Sequence, residues 1–259
     1  MMTKSRSGAV AIRSRVREQG VERPFETLLR MPEEGRLLLG QLLGCDLREG
    51  SPPEEQAWRL INQNLRGLQA RTHHLPEQLS PFARNNNWWE IVTRTARRCG
   101  LRFYPGLKDE EVENLLFDHF AGQVLKRERM GEGDLDRLAR RLHPTLAAAI
   151  RSLGLSAAAR QALVAALLQG LASDQDEREG LNRLTDWLRS ALPWSWTTSV
   201  SQGLALLQQR LCDMWRVWIL QGARTFARSN YGKVATALAM IHLASRIEHA
   251  REQFELLGS

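Results

Sequence analysis

Apolar residues recur along the chain at steps of three and four, the spacing of one helical face, and no run alternates with a period of two between turn residues. Trp58, Ile61, Leu65 and Leu68 form one such stripe. Val112, Leu115, Leu116, Phe120 and Val124 form a second, and Leu204, Leu207, Leu211, Trp215 and Trp218 a third. Boundary residues agree with this reading. Ser51-Pro52-Pro53-Glu54 starts a helix, with Ser51 as the cap, proline at the first helical position and Glu54 closing a capping box. Gly100 ends a helix that begins near Asn87 and turns Trp88, Val92, Thr95 and Cys99 inward. Asp109-Glu110-Glu111 puts acids in the first turn of a helix running to about Arg129, where they complement the helix dipole.

The remaining punctuation yields further helices. They are expected at about 24–30 and 33–44, after Asp134, from Ser156 to about 172, around 181–192, from Ser199 to about 227, and from Lys233 to about 257. Residues 72–87 read as a polar loop, and Gly131-Glu132-Gly133 as a hinge. The expected fold is therefore all-α, an irregular array of eight to ten helices without a sheet. Valine and isoleucine are sparse, and leucine, alanine, arginine and glutamate dominate, which favours helix over strand. Three segments are expected: a flexible basic arm over 1–22, a helical domain over 23–190, and a C-terminal helical hairpin over 191–259 that packs on that domain or is presented to a partner.

Charge narrows the candidate chemistry. The formal net charge is +7, and it derives almost wholly from arginine, since lysine occurs only at positions 4, 108, 126 and 233. The excess is concentrated in residues 1–30, with seven basic and three acidic side chains, and in residues 81–105, with five and one. The densest cluster joins Arg84, Trp88, Trp89, Arg94, Arg97, Arg98 and Arg102 on and around one helix, where arginine beside an aromatic ring can hold an anionic backbone or a protein surface. The alternative for the same residues is a solvated arginine face over a tryptophan core. Trp215 and Trp218, with Trp194, Trp196 and Phe226, form a second candidate contact, either interfacial or core.

No catalytic motif emerges. The chain has no glycine-rich phosphate loop, serine elbow or His-Glu-x-x-His string. His242 and His249 share a helical side with Glu248 and Glu252, but a zinc helix presents histidines four apart, so no metal and no other cofactor is expected. Cys45, Cys99 and Cys212 are widely spaced and odd in number, which points to a reducing, cytoplasmic setting. The longest apolar stretch, Val234 to Leu243, is about half of what a membrane span requires.

Two blocks carry a family resemblance. AWRLINQNLRGLQ (57–69) and WWEIVTRTARRCGLRF (88–103) resemble the bacterial YaaW-like family, grouped with the ubiquinol–cytochrome c chaperone, a respiratory-complex assembly factor. The matching positions are Trp58, Ile61, Leu65, Arg84, Asn85, Trp89, Ile91 and Arg97; ENLLFDHF (113–120) resembles the family's next helix, and residues 231–248 echo a later one. The resemblance implies an all-α fold and a non-enzymatic, chaperone-like role. The expected function is accordingly that of a helical interaction protein that binds a protein partner or a membrane-proximal client, with peripheral membrane contact as an accompaniment. Nucleic-acid binding through the 84–102 helix is the alternative. No small-molecule substrate is inferred.

Overall fold

The computed structural model describes residues 3–65, 88–104, 106–128, 144–171, 200–225 and 230–257. Among these residues the chain is all-α, with eleven α-helices, one π-helical segment and no strand. The helices are α1 (Thr3–Glu18), α2 (Glu22–Arg30), α3 (Glu33–Leu43), α4 (Pro53–Arg59), α5 (Trp88–Arg98), α6 (Asp109–Glu128), α7 (Pro144–Ser152), α8 (Ala157–Leu171), α9 (Val200–Gln209), α10 (Leu211–Thr225) and α11 (Asn230–Leu257). The π-helical segment, Leu60–Leu65, continues directly from α4.

The chain forms two compact units. One comprises Met1–Leu116 and Gly222–His242, the other Phe117–Gln221 and Leu243–Ser259. The expected boundary at 190/191 falls within the second unit, and residues 222–259 contribute to both units.

In the first unit, α1 packs on α2 and α4, α2 packs on α4, and α3 packs on α4 and the π-helical segment. Val16, Val21, Phe25, Leu28, Leu39, Leu60 and Ile61 fill the space between them. Arg36 is buried in this core and closes α2: its Nη1 donates to the carbonyls of Leu28 (3.3 Å), Leu29 (3.4 Å) and Met31, and its Nε donates to Gln56 Oε1 (2.7 Å). The guanidinium thus satisfies carbonyls that any helix end leaves without an intrahelical partner. Helix α3 ends at Gly44, whose φ of 72° permits paired turn bonds, Gly44 N–H to Gln41 O (3.2 Å) and Cys45 N–H to Gly40 O (2.7 Å).

In the second unit, α9 packs along α7. Ser156 caps α8 as its sequence position suggests: Oγ accepts the Ala159 N–H (3.1 Å) and donates to Asp118 Oδ1 (2.6 Å). Trp215 and Trp218 are fully buried, and Phe117 and Phe120 meet Trp218 edge-on with ring centroids 5.7 and 5.5 Å apart. Arg246 donates from Nε (2.9 Å) and Nη2 (2.6 Å) to the carbonyl of Leu153. The next residue is Gly154, where a Cβ would stand 2.3 Å from Arg246 Nη2.

Every residue from Val234 to Ala244 in α11 is buried, so no solvent-facing polar side interrupts this stretch. No described helix is long and apolar enough to cross a membrane.

Four expectations change. The basic arm is helical from Thr3, and Val16 and Val21 enter the core, which anchors it. The long helix expected over 199–227 is two helices joined at Arg210, although Arg210 N–H still reaches Leu206 O and Met214 N–H reaches Arg210 O. Helix α4 starts after Pro52, with no side-chain cap from Ser51. In α6, Leu115 is 39% exposed and Glu113 is buried, because the inward face is set by Val112, Leu116, Phe117 and Phe120, and Leu115 points away from them. The expected loop at 72–87, the hinge at 131–133, the Asp134 cap and the helix at 181–192 lie outside the described residues.

Candidate functional site on helix α5

Helix α5 is two-sided, and the pattern of its sequence explains why. Trp88, Ile91, Val92, Thr95 and Ala96 recur at helical spacing and are buried. Thr95 donates from Oγ1 to Ile91 O (2.7 Å), and Gly100, with φ 80°, closes the helix by Gly100 N–H to Arg97 O and Leu101 N–H to Ala96 O, both 3.0 Å. Burial pushes the Cys99 thiol up to about 11, which removes it as a nucleophile near neutral pH.

The inner side reaches a buried charge cluster within the first unit. The Trp88 indole N–H donates to Glu113 Oε1. Arg23, on α2, donates through Nη1 to Glu113 Oε2 (3.0 Å) and through Nη2 to Oε1, and Nη2 also meets Asp109 Oδ2 (2.9 Å). His242, on α11, places Nδ1 3.0 Å from Glu113 Oε2 and Nε2 2.9 Å from Asn114 Oδ1. The Glu113 side chain is 3% exposed, so its charge has left water. Burial alone would raise its pKa. The hydrogen bond to His242 and the neighbouring Arg23 guanidinium outweigh that and hold it below the usual carboxylate range. Burial likewise works against the Arg23 charge, but Glu113 and Asp109 more than offset it and raise its pKa.

These contacts decide what the cluster can do. Arg23 and Trp88 converge on Oε1, Arg23 and His242 on Oε2, and a carboxylate offers about four acceptor positions in all. With those positions taken, Glu113 has none left for a water or a substrate hydroxyl. The cluster ties α2, α5, α6 and α11 together and positions α5 from below.

The outer side is different in kind. Arg97 lies over the Phe103 ring, 5.6 Å from its centroid, and the Trp89 indole N–H donates to Leu107 O (3.2 Å). Leu107 N–H in turn bonds Tyr104 O (3.2 Å). The segment after Gly100 therefore runs back along α5, from the Arg97 end to the Trp89 end, about 12 Å at the helical rise. Tyr104 stands on this segment 77% exposed, and Trp89 is 36% exposed. Arg97, Arg98 and Arg102 are exposed around them.

The sequence candidates thus separate. Trp89, Arg97, Arg98 and Arg102 share the outer side. Arg94 pairs with Glu90 one turn before it. Trp88 is interior and belongs to the Glu113 cluster. Trp215 and Trp218, candidates for either a contact or the core, are interior residues of the second unit with no exposed surface. Arg84, Trp194, Trp196 and Phe226 lie outside the described residues or side chains. His242 and His249 do not converge: His242 faces Glu113, whereas His249 meets Gln253 Nε2 (2.9 Å) at the surface. Among the described residues no group of three or more His, Cys, Asp or Glu could hold a metal ion. None of the three cysteines is in a disulfide.

Sequence reasoning missed Tyr104 and the Glu113 cluster. The available signal for Glu113 was its position at i−3, i−4 and i−7 to Leu116, Phe117 and Phe120, an acid in an apolar stripe. No family model, no curated protein and no solved structure matches the chain.

Proposed function

We propose that the chain is a non-enzymatic helical interaction protein, chaperone- or assembly-factor-like, that holds a protein partner on the outer side of α5 and the 101–107 segment in a reducing, cytoplasmic setting. The observation that supports this reading is Tyr104, 77% exposed, on a segment pinned by the Trp89 hydrogen bond and the Arg97–Phe103 stack. Tyrosine, tryptophan and arginine supply most of the binding energy at protein interfaces, because each combines a large flat area with a polar tip. Holding the segment against α5 before binding reduces the ordering cost at association. The Glu113 cluster beneath is saturated with hydrogen bonds, which suits support better than turnover.

The test is site-specific photo-crosslinking from position 104 of the full chain, with position 252 as an exposed control. A discrete protein adduct from position 104 alone, lost on Arg98→Glu with Arg102→Glu, supports the proposal. An adduct degraded by nuclease would place nucleic acid there, the reading that exposed arginines beside an aromatic also suit. Equal labelling from both positions overturns a dedicated interface.

A further inference from the structure

The N-terminal helix carries charge that the fold does not use. From Val10 to Glu18, Ile12 and Val16 alone are withdrawn from solvent, and they lie one turn apart, so α1 rests on the first unit along a single narrow row. Arg13, Arg15 and Arg17 are all exposed. Among the described residues none of the three makes a side-chain hydrogen bond or ion pair. Glu18, the one acid in α1, accepts a hydrogen bond from Ser14 Oγ (3.2 Å). Arg15 and Arg17 in the last turn complement the helix dipole, an effect that leaves their guanidinium groups open to solvent. Arg13 and Arg17, four residues apart, stand about 6 Å from each other along the axis on one side of the helix.

Unneutralised arginines, Arg13 and Arg17 on one side of α1 and Arg15 on the opposite flank, ask for an anionic surface, and two kinds are common. A membrane-surface helix buries an apolar face beneath the headgroups. Here Ile12 and Val16 face the protein, Val16 is 3% exposed, and from Val10 to Glu18 only Val10, at 69%, and the small Ala11 are apolar side chains exposed to solvent. Between Val10 and Glu18 no broad apolar face remains for a bilayer. A phosphate backbone needs no such face: it needs spaced cations, and arginine's planar fork grips phosphate oxygens in pairs. We propose that the solvent side of α1 binds the phosphate backbone of a nucleic acid without reading its base sequence. This surface is distinct from the α5 face and does not depend on it.

The test is fluorescence anisotropy of the full chain with labelled single-stranded DNA, single-stranded RNA and duplex DNA. For duplex DNA, the two phosphate contacts of Arg13 and Arg17 alone lower the affinity by about 12-fold between about 50 and about 200 mM salt. Arg13→Gln with Arg15→Gln and Arg17→Gln should reduce the log–log salt slope by about 2 for duplex and about 1.4 for single strands, the share of the two contacts that Arg13 and Arg17 make from one side. Glutamine has a helix propensity close to arginine's, and matching circular dichroism would show that α1 is intact. The triple lysine variant should retain the slope, and scrambling the base sequence should leave affinity unchanged. The RNA and DNA arms distinguish the two sources of phosphate. Absence of binding at low salt, or a glutamine variant with the original slope, overturns the proposal. So does capture by anionic vesicles that nucleic acid fails to compete away. Equal crosslinking from positions 104 and 252 of the unsubstituted chain, with α1 binding retained, would sink the α5 reading alone.

Discussion

The two compact units bury opposite chemistries. The first encloses a charged carboxylate and gives it a donor at every available position, from Arg23, Trp88 and His242. The second encloses two whole tryptophans, and the indole Nε1 atoms of Trp215 and Trp218 have no hydrogen-bond partner among the described residues. In the first unit direction matters: each donor must reach one oxygen, which fixes the helices that carry them. In the second, area and edge-on ring contact do the work, and the indole N–H groups contribute a desolvation cost of about 1–3 kcal/mol each. Specificity is therefore concentrated in the first unit and bulk apolar burial in the second.

The largest expected effect tests the polar side of this contrast. Glu113→Ala removes the acceptor that Arg23, Trp88 and His242 share, leaving Arg23 with Asp109 and His242 with Asn114, and should cost about 3 kcal/mol in urea-monitored stability. A cost below about 1 kcal/mol would mean that the cluster is dispensable. The next test makes one substitution in both units. Trp88→Phe deletes a donor to a buried carboxylate and should cost about 1.5–3 kcal/mol. Trp218→Phe deletes an N–H without a partner and should cost about 1 kcal/mol or less beyond its lost volume. Equal losses at the two positions would erase the distinction.

Acid titration sharpens it further. Glu113 has a lowered pKa in the folded state and an ordinary one, near 4.5, when unfolded. Its contribution is therefore complete above the unfolded value and is lost as pH falls through the lower, folded one. Amide exchange should accelerate in α2, α5 and the first half of α6 as pH drops below about 4.5, after correction for intrinsic exchange rates, and Glu113→Gln should flatten that response. The smallest effect belongs to the second unit: Ser156→Ala removes the cap of α8 and its bond to Asp118, and should cost about 1 kcal/mol by thermal melting.

Local pattern carried the reading of the fold a long way. The steps of three and four that mark helices are set within a single turn, so α3, α5 and α8 are visible from their own residues, as are the Gly100 stop and the Ser156 cap. The units were not visible, because helix periodicity says which face is apolar and nothing about what covers it. Glu113 shows the limit most plainly. Its partners Arg23 and His242 lie 90 and 129 residues away, beyond any local window, and without them an acid in an apolar stripe looks like a flaw in the helix. Leu115 was assigned inward for the converse reason: its neighbours in sequence are apolar, but its direction is not theirs. On α5 the arginines were legible, whereas the use of Trp88 as a donor and of Tyr104 as the exposed ring depended on chain that folds back after Gly100.

The sharing of residues 222–257 between both units bears on how the chain is made. Synthesis delivers residues in order, and most multidomain proteins complete one unit before the next emerges. Here the first unit waits for Gly222–His242 and the second for Leu243–Ser259. The pocket for Glu113 waits throughout for a histidine encoded 129 residues later. Neither unit can finish and shelter its apolar surface before its part of α11 has been made, so both depend on the same late helix.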